Sequence, residues 1–493
     1  MNNRNRRQEY TPQRPPNRQG GQQNMPPNRQ TNNANFNYNK VPKKVPKNNS
    51  KRKNPKLFRF VCLVVLVLCV TASTVALLII RNNEKKAEDK SPKPVTSQTQ
   101  KNDEDKVKGE AKVTAVTTAK VLSTGDVLIH EPLLKGALTQ DNAYNFSQSF
   151  SFIDKKIKEA DFAVCNLEST LGGAGKKYSG PPLLNSPDSL IDALKGAGFG
   201  MILTANNHAY DTGIDGLVRT PQVIAQKGVL STGTRAKVTD KPYAVREING
   251  IKIGFLNYTY ETQPDSAGKK SLNGNFLSDE ASDLVNTFNY DKLDEFYASV
   301  EEKIGSIKND GAQAIMLYIH WGTEYQKSPN DFQKEIAKKM CDLGINILIG
   351  SHPHVIQPLE IIKSETTGNV MPCLYSMGNA LSNQRKALMG LKTGHTEDGV
   401  LLYTTFTKYS NGEVKITNLD YVPTWVNIAT VESKKIHQII PLDNIIYTTQ
   451  GLGLTTQTQS SARASYKRTK ETLDSGIQQF NSLTQVTQQQ NEN

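Results

Sequence analysis

Cysteine is scarce in this chain of 493 residues. The five present are odd in number and show no short spacing, which excludes a disulfide framework and a thiolate zinc site. Cys62 and Cys69 fall in a long apolar run, while Cys165, Cys341 and Cys373 fall in predicted strands or helices as small core residues. The first 59 residues lack almost all aliphatic side chains and are rich in Asn, Gln, Pro, Lys and Arg, so they cannot bury enough apolar surface to offset chain entropy. They also lack acids. Glu9 stands alone against 15 Lys and Arg, so this disordered basic tail (1–59) carries +14 of a total of +13 and the remainder is near neutral at −1. Aromatics are not interleaved with these charges, so nucleic acid is set aside as a partner; attraction to anionic membrane lipid accounts for the tail.

Charge is absent from Phe60 to Ile80, FVCLVVLVLCVTASTVALLII, 21 residues that match the length of a membrane-spanning helix. A cleaved signal peptide is the rival reading, but such peptides start near the amino terminus and have shorter apolar cores. Lys and Arg number nine in residues 40–59 and five in residues 81–100, which orients the amino terminus to the cytoplasm and the carboxyl-terminal part outside. Residues 81–110 are polar, charged and without periodicity, as in a flexible stalk.

From 111 to 451, apolar runs alternate with amphipathic segments, the pattern of an α/β domain. Strands are predicted at 119–124, 162–165, 201–204, 252–257, 314–319 and 345–349, and helices at 152–160, 186–197, 216–227, 293–308 and 331–343. After Met371 the pattern turns mostly to strand, at 371–376, 399–408, 414–422 and 435–440, which suggests a second sheet packed on the first. Residues 452–493 read as a polar tail with one helix over 462–483. No internal repeat is present.

Histidine is scarce too, at seven, yet five of the seven sit beside polar motifs that follow apolar runs. His352 and His354 form Gly-Ser-His-Pro-His after Ile345–Ile349. Asp126 lies in GDVLIH with His130, Asn166 and Glu168 in NLEST, and Asn206, Asn207, His208 and Asp211 in ANNHAYDTG. His320, Trp321 and Glu324 lie in IHWGTEY, and Asn379 ends YSMGN. His395 and His437 have no such setting. The carboxyl ends of strands in an α/β sheet open on one crevice, so these groups can converge. Each has a plainer reading: Asp126 as a helix cap, Glu168 in an ion pair, Asn206 or Asn207 in a turn, His320 in the core against Trp321. Carboxylate, carboxamide and imidazole on successive strand ends are nevertheless what a divalent-metal crevice requires. Mixed nitrogen and oxygen donors suit Mn, Fe or Zn. Trp321 is a candidate wall beside His320, Glu324 and Asp211 are candidate partners for an imidazole, and Asn166 either holds Glu168 or contacts substrate.

Taken together, GDVLIH, NLEST, ANNHAYDTG, HWGTEY, GSHPHVIQP and YSMGN, in this order, resemble the CapA family of poly-γ-glutamate capsule synthesis proteins over about residues 117–425. That family is similar to calcineurin-like metallophosphoesterases. The resemblance implies a four-layer α/β/β/α sandwich with one or two divalent ions. It implies Glu168 as a bridging ligand, Asn207, His320 and His352 at one site, Asp126 and His354 at the other, and His208 as a non-ligand acid. Departures are plain: Asp126 is followed by Val127 and Leu128 rather than Asp-x-His, Glu168 stands for Asp, and Asn206-Asn207-His208-Ala209 stands for Gly-Asn-His-Glu. The function implied is capsule or anionic cell-surface polymer assembly, with other capsule-synthesis membrane subunits as candidate partners. Metal-assisted attack on a phosphoester or amide-like bond is one mechanism; a non-catalytic polymer-binding or export subunit is the alternative.

Overall fold

The computed structural model describes residues 113–262, 268–443 and 454–492, with side chains to 485. The expected basic tail, membrane helix and stalk lie outside the described residues; among the described ones no helix is long and apolar enough to cross a membrane. Residues from Val107 onward form one compact unit.

The fold is mixed α/β, built on two sheets. The first is eight-stranded, in the order Lys434–Pro441, Val414–Val431, Asp398–Tyr409, Ala115–Val127, Phe162–Leu167, Met201–Leu203 and Leu230–Thr232, with Asn379–Leu381 beside the end of Ala115–Val127. The second is seven-stranded, in the order Leu359–Lys363, Val370–Leu374, Ile347–Ser351, Ala314–His320, Ile251–Tyr260 and Ala244–Ile248, with Thr287–Phe288 beside Ile251–Tyr260. Alternation sorts each strand between two cores. Val121, Val164, Phe255, Met316, Ile349 and Leu402 meet between the sheets. On the outer face of the first sheet, Leu122, Ala163 and Cys165 pack on residues of Glu131–Ala137, Ser189–Ala197 and Gly213–Gln226. On the outer face of the second, Leu317, Ile319 and Leu348 pack on Leu293–Asn309 and Asp331–Asp342. The layers therefore run helices, sheet, sheet, helices.

Two sequence expectations change. Most strands after Met371 do not make a second sheet of their own: Asp398–Tyr409 pairs antiparallel with Ala115–Val127 and extends the first sheet, while Val370–Leu374 joins the second. Nor is the carboxyl-terminal segment peripheral. It forms the helix Thr456–Glu492, whose Leu473, Ile477 and Phe480 enter the core between the sheets. Its polar composition hid that stripe, because Gln, Ser and Thr fill the other face.

Hydrogen bonds and charges tie this helix down. Arg468 donates to both oxygens of the buried Asp398 carboxylate, at 2.7 and 2.6 Å, and also to the Gly394 carbonyl. A β-carbon at Gly476 would lie 2.1 Å from the Leu359 carbonyl oxygen, so the helix approaches the second sheet closely there. Elsewhere, helix Asp331–Asp342 begins on a capping box in which Asn330 and Gln333 satisfy each other's end groups. Cys165, Cys341 and Cys373 are free and buried, the small core residues that their surroundings suggested.

Candidate metal centre

The parallel strands of both sheets bring their carboxyl ends to one place. Ala115–Val127 delivers Asp126, Phe162–Leu167 is followed by Glu168, and Met201–Leu203 by Asn206, Asn207 and His208. From the second sheet, Ala314–His320 ends on His320 and Ile347–Ser351 runs into His352 and His354. The last two bend sharply: His352 has φ of 92° and His354 of 57°. Such conformations cost about 1–3 kcal/mol each for non-glycine residues and persist where surrounding structure holds them. Gly350 allows the close approach beneath them, since a β-carbon there would meet the Tyr375 carbonyl oxygen at 2.0 Å.

Glu168 lies at the centre, fully buried, and neither carboxylate oxygen has a hydrogen-bond partner. Its Oε1 is 3.6 Å from His320 Nε2, 3.7 Å from His354 Nε2 and 3.9 Å from His208 Nε2. Glu168, His352 and His354 each offer a ligand atom, all within 4.8 Å of one another. His320 Nε2 is 2.9 Å from Asn207 Oδ1 and 3.1 Å from His352 Nδ1, so those three groups converge as well. A buried carboxylate that accepts no hydrogen bond is costly, and a divalent cation among these donors would compensate it. The donor set fits a transition metal, with nitrogen and oxygen ligands together.

In the metal-free centre, burial and neighbouring charges shift Glu168, His320, His352 and His354. Burial pushes Glu168 well above the usual carboxylate range; Asp126, Glu324 and Asp211 push it further and His354 opposes them. Burial, followed by neighbouring imidazoles, holds His320 and His352 well below the ordinary histidine value, which favours the neutral rings. Burial pulls His354 down too, but Glu168, Asp126 and Glu324 outweigh it and hold the ring at about 10.

Around the centre, most side chains hold others in place. Asp126 Oδ1 accepts from Asn166 at 2.7 Å and its Oδ2 from the His352 backbone N–H at 3.3 Å, with His354 Nδ1 3.4 Å away. Asn166 thus secures Asp126. Asn206 donates to the Leu167 carbonyl at 2.8 Å and accepts from the His208 backbone. Asp211 takes the partner role expected of it, with Oδ2 at 2.6 Å from His208 Nδ1 while also accepting from the Leu184 N–H. Trp321 does not wall the crevice. Its indole stacks on Tyr375 and donates to that residue's carbonyl, inside the outer core. Glu324 is exposed and acts on Glu168 and His354 through its charge. Asn379 faces His354, with Oδ1 at 3.0 Å from Nδ1.

Several residues escaped sequence reasoning. Tyr260 Oη lies 3.2 Å from His352 Nε2, Ser351 Oγ lies 2.9 Å from His320 Nδ1, and Tyr325 packs over His354. Ser351 is inside Gly-Ser-His-Pro-His and could have been noticed; Tyr260 sits at a strand end with no local signal. His437, set aside from sequence, is buried with Nε2 on Asn383, and burial followed by the Arg385 charge lowers it to about 4. His130 is lowered to about 4 as well, by burial and then the nearby His354, His437 and His208.

With this geometry in view, the comparisons with known proteins are direct. Residues 120–384 match the family described as bacterial capsule synthesis protein PGA_cap, more than half of the chain. The chain belongs to that family. Its similar relatives include the PGA biosynthesis protein CapA of Bacillus subtilis (strain 168), 26% identical over 275 residues, 55% of this chain and 64% of that protein. The capsule biosynthesis protein CapA of Bacillus anthracis is 25% identical over 248 residues, 49% of this chain and 56% of that protein. A probable polyglutamine synthesis accessory protein of Mycobacterium tuberculosis (strain ATCC 25618 / H37Rv) is 25% identical over 263 residues, 52% and 63% of the two chains. The match thus spans less than two thirds of each of these relatives. Among solved structures, the sulfate thiohydrolase SoxB of Thermus thermophilus in complex with glycerol aligns over 66% of this chain and 46% of its own. Its identity of 12% and TM-score of 0.31 are too low to carry an argument.

Proposed function

We propose that this chain serves the assembly of poly-γ-glutamate capsule or another anionic cell-surface polymer, as a membrane-anchored protein whose external domain is a metal-dependent hydrolase. The observation that carries the reading is the fully buried, unpartnered Glu168 carboxylate ringed by His320, His352, His354 and Asn207 at the shared edge of two sheets. The family match and the names of the relatives supply the polymer context. The four layers support a metallophosphoesterase-like sandwich.

Glu168, Asn207, His320 and His352 would hold one divalent ion, with His354 and Asp126 available to a second. Such an ion, when bound, polarises a phosphoryl or carbonyl oxygen and lowers the pKa of water. The rest falls to the chain itself. Asp211 engages His208 Nδ1, so Nε2 is the ring atom turned to the centre, and the imidazolium, stabilised by the Asp211 carboxylate, gives its Nε2 proton to a leaving oxygen or nitrogen and reverts to the neutral ring. The histidine is 9% exposed while the surrounding ligands are more deeply buried, which puts it where substrate enters. A purely polymer-gripping subunit needs the ligands but not this His208–Asp211 pair, and the pair favours catalysis.

The test is hydrolysis of a panel of phosphoesters and γ-glutamyl peptides by the full-length protein in detergent, before and after chelation. Turnover that chelation abolishes and metal restores is the expected result; metal-bound protein without turnover on any of them favours the gripping subunit. The anchor is proposed from the uncharged run 60–80 and the flanking charge bias. Protease added to intact cells then digests the carboxyl-terminal domain and spares the first 59 residues; the reverse digestion overturns the topology.

A further inference from the structure

We propose that Asn379 is a positioning residue for the metal centre: it fixes the tautomer of His354, placing the proton on Nδ1 and turning the Nε2 lone pair toward Glu168. This rests on the metal-centre reading above and assigns a role within it.

The argument is one of hydrogen-bond polarity. A carboxamide has an oxygen that accepts and a nitrogen that donates, so its two ends are not interchangeable. Here the surroundings decide. The Asn379 nitrogen faces three acceptors: Gln384 Oε1 at 2.9 Å, the Thr396 carbonyl at 3.0 Å and the His354 carbonyl at 3.4 Å. Two of these are backbone carbonyls, which cannot donate. Turning the amide over would set its oxygen against them, so Oδ1 must face His354 Nδ1, at 3.0 Å. Oδ1 only accepts, which obliges Nδ1 to carry the hydrogen. With the Nδ1 proton held in place, Nε2 is the atom that gives up its proton to a metal, and it is this atom that lies 3.7 Å from Glu168 Oε1.

The surrounding structure makes the assignment rigid. Asn379 is fully buried and sits in strand register with Asp126, so its backbone is held by the same strand that supplies the site carboxylate. Gln384 is in turn held by Thr396, whose hydroxyl donates to the Gln384 carbonyl at 2.6 Å. Thr396 lies beyond the family-matched segment 120–384, so part of this clamp comes from outside it. His352 is presented the other way, with Nδ1 toward His320 and Nε2 beside the Tyr260 hydroxyl. Two histidines separated by one residue thus offer different ring nitrogens, and Asn379 sets the second together with the Asp126 carboxylate, whose Oδ2 lies 3.4 Å from the same Nδ1.

Groups that orient metal-bound histidines are worth roughly 10–100-fold in metal affinity. The test uses Co²⁺ as the probe on the full-length protein in detergent, reading affinity and the visible ligand-field spectrum. Asn379→Leu keeps the volume and removes the acceptor; about 10–100-fold weaker Co²⁺ binding with a changed spectrum is expected. Where the Leu variant does not fold, Gln384→Leu, which frees the amide without touching His354, should weaken binding in the same direction. The proposal is overturned if a folded Asn379→Leu, or Gln384→Leu in its place, binds Co²⁺ with wild-type affinity and spectrum. Wild-type protein that binds no Co²⁺ overturns it together with the metal-centre reading, which separates the two failures.

Discussion

His208→Ala is expected to cut turnover by about 10²–10⁴-fold, the usual worth of a positioned acid or base, while leaving metal content nearly intact. The reason is geometric. His208 Nδ1 is engaged by Asp211 at 2.6 Å and Nε2 stays 3.9 Å from Glu168, whereas the adjacent Asn207 is the residue that reaches His320. His320→Ala should lose metal and turnover together, because that ring has Glu168, Asn207 and His352 around one nitrogen. Parallel metal analysis and rate measurements on the two variants check the assignment. Equal metal loss in both makes His208 a ligand instead.

Arg468→Ala should lower unfolding free energy by about 3 kcal/mol or more, because it leaves a buried carboxylate without its partner. Asp398 is 2% exposed and receives two hydrogen bonds from that guanidinium. The pair joins the carboxyl-terminal helix to the first residue of strand Asp398–Tyr409, whose backbone continues the first sheet. Chemical denaturation of the variant measures the loss. Replacing Asp398 by Asn as well should recover a large part of it, since the cost lies in the abandoned charge rather than in the missing pair. A single variant as stable as wild type would show that the helix is anchored by its apolar stripe alone.

Much of the site was legible in the sequence because its residues share one structural address. Each strand-end motif carries its candidate ligand within a few residues of an apolar run, and parallel strands turn that regularity into convergence: Asp126, Glu168, Asn207, His320 and the His352/His354 pair all meet. Less legible was how the motifs divide between two sheets, since periodicity marks a strand without saying what it pairs with. Asp398–Tyr409 pairs with Ala115–Val127 across more than 270 residues, and nothing local announces such a register. The role of Asn166 stayed open between Glu168 and substrate for a related reason: the carboxylate it reaches, Asp126, comes from the adjacent strand. Tyr260 and Gln384 carry no signal at all, as their importance comes from which groups end up beside them. The carboxyl-terminal helix was underrated because a narrow apolar stripe of Leu473, Ile477 and Phe480 is outnumbered by polar residues.

The central claim is that the buried carboxylate Glu168 belongs to a metal centre, and elemental analysis of the full-length protein, purified without added metal or chelator, tests it most directly. At least about one Mn, Fe or Zn per chain is expected, with Glu168→Gln folded but depleted of it. Added metal should also raise the melting temperature of chelator-treated wild type and not of the variant. Wild-type protein that carries no transition metal, and whose melting temperature is indifferent to added metal, would contradict the account.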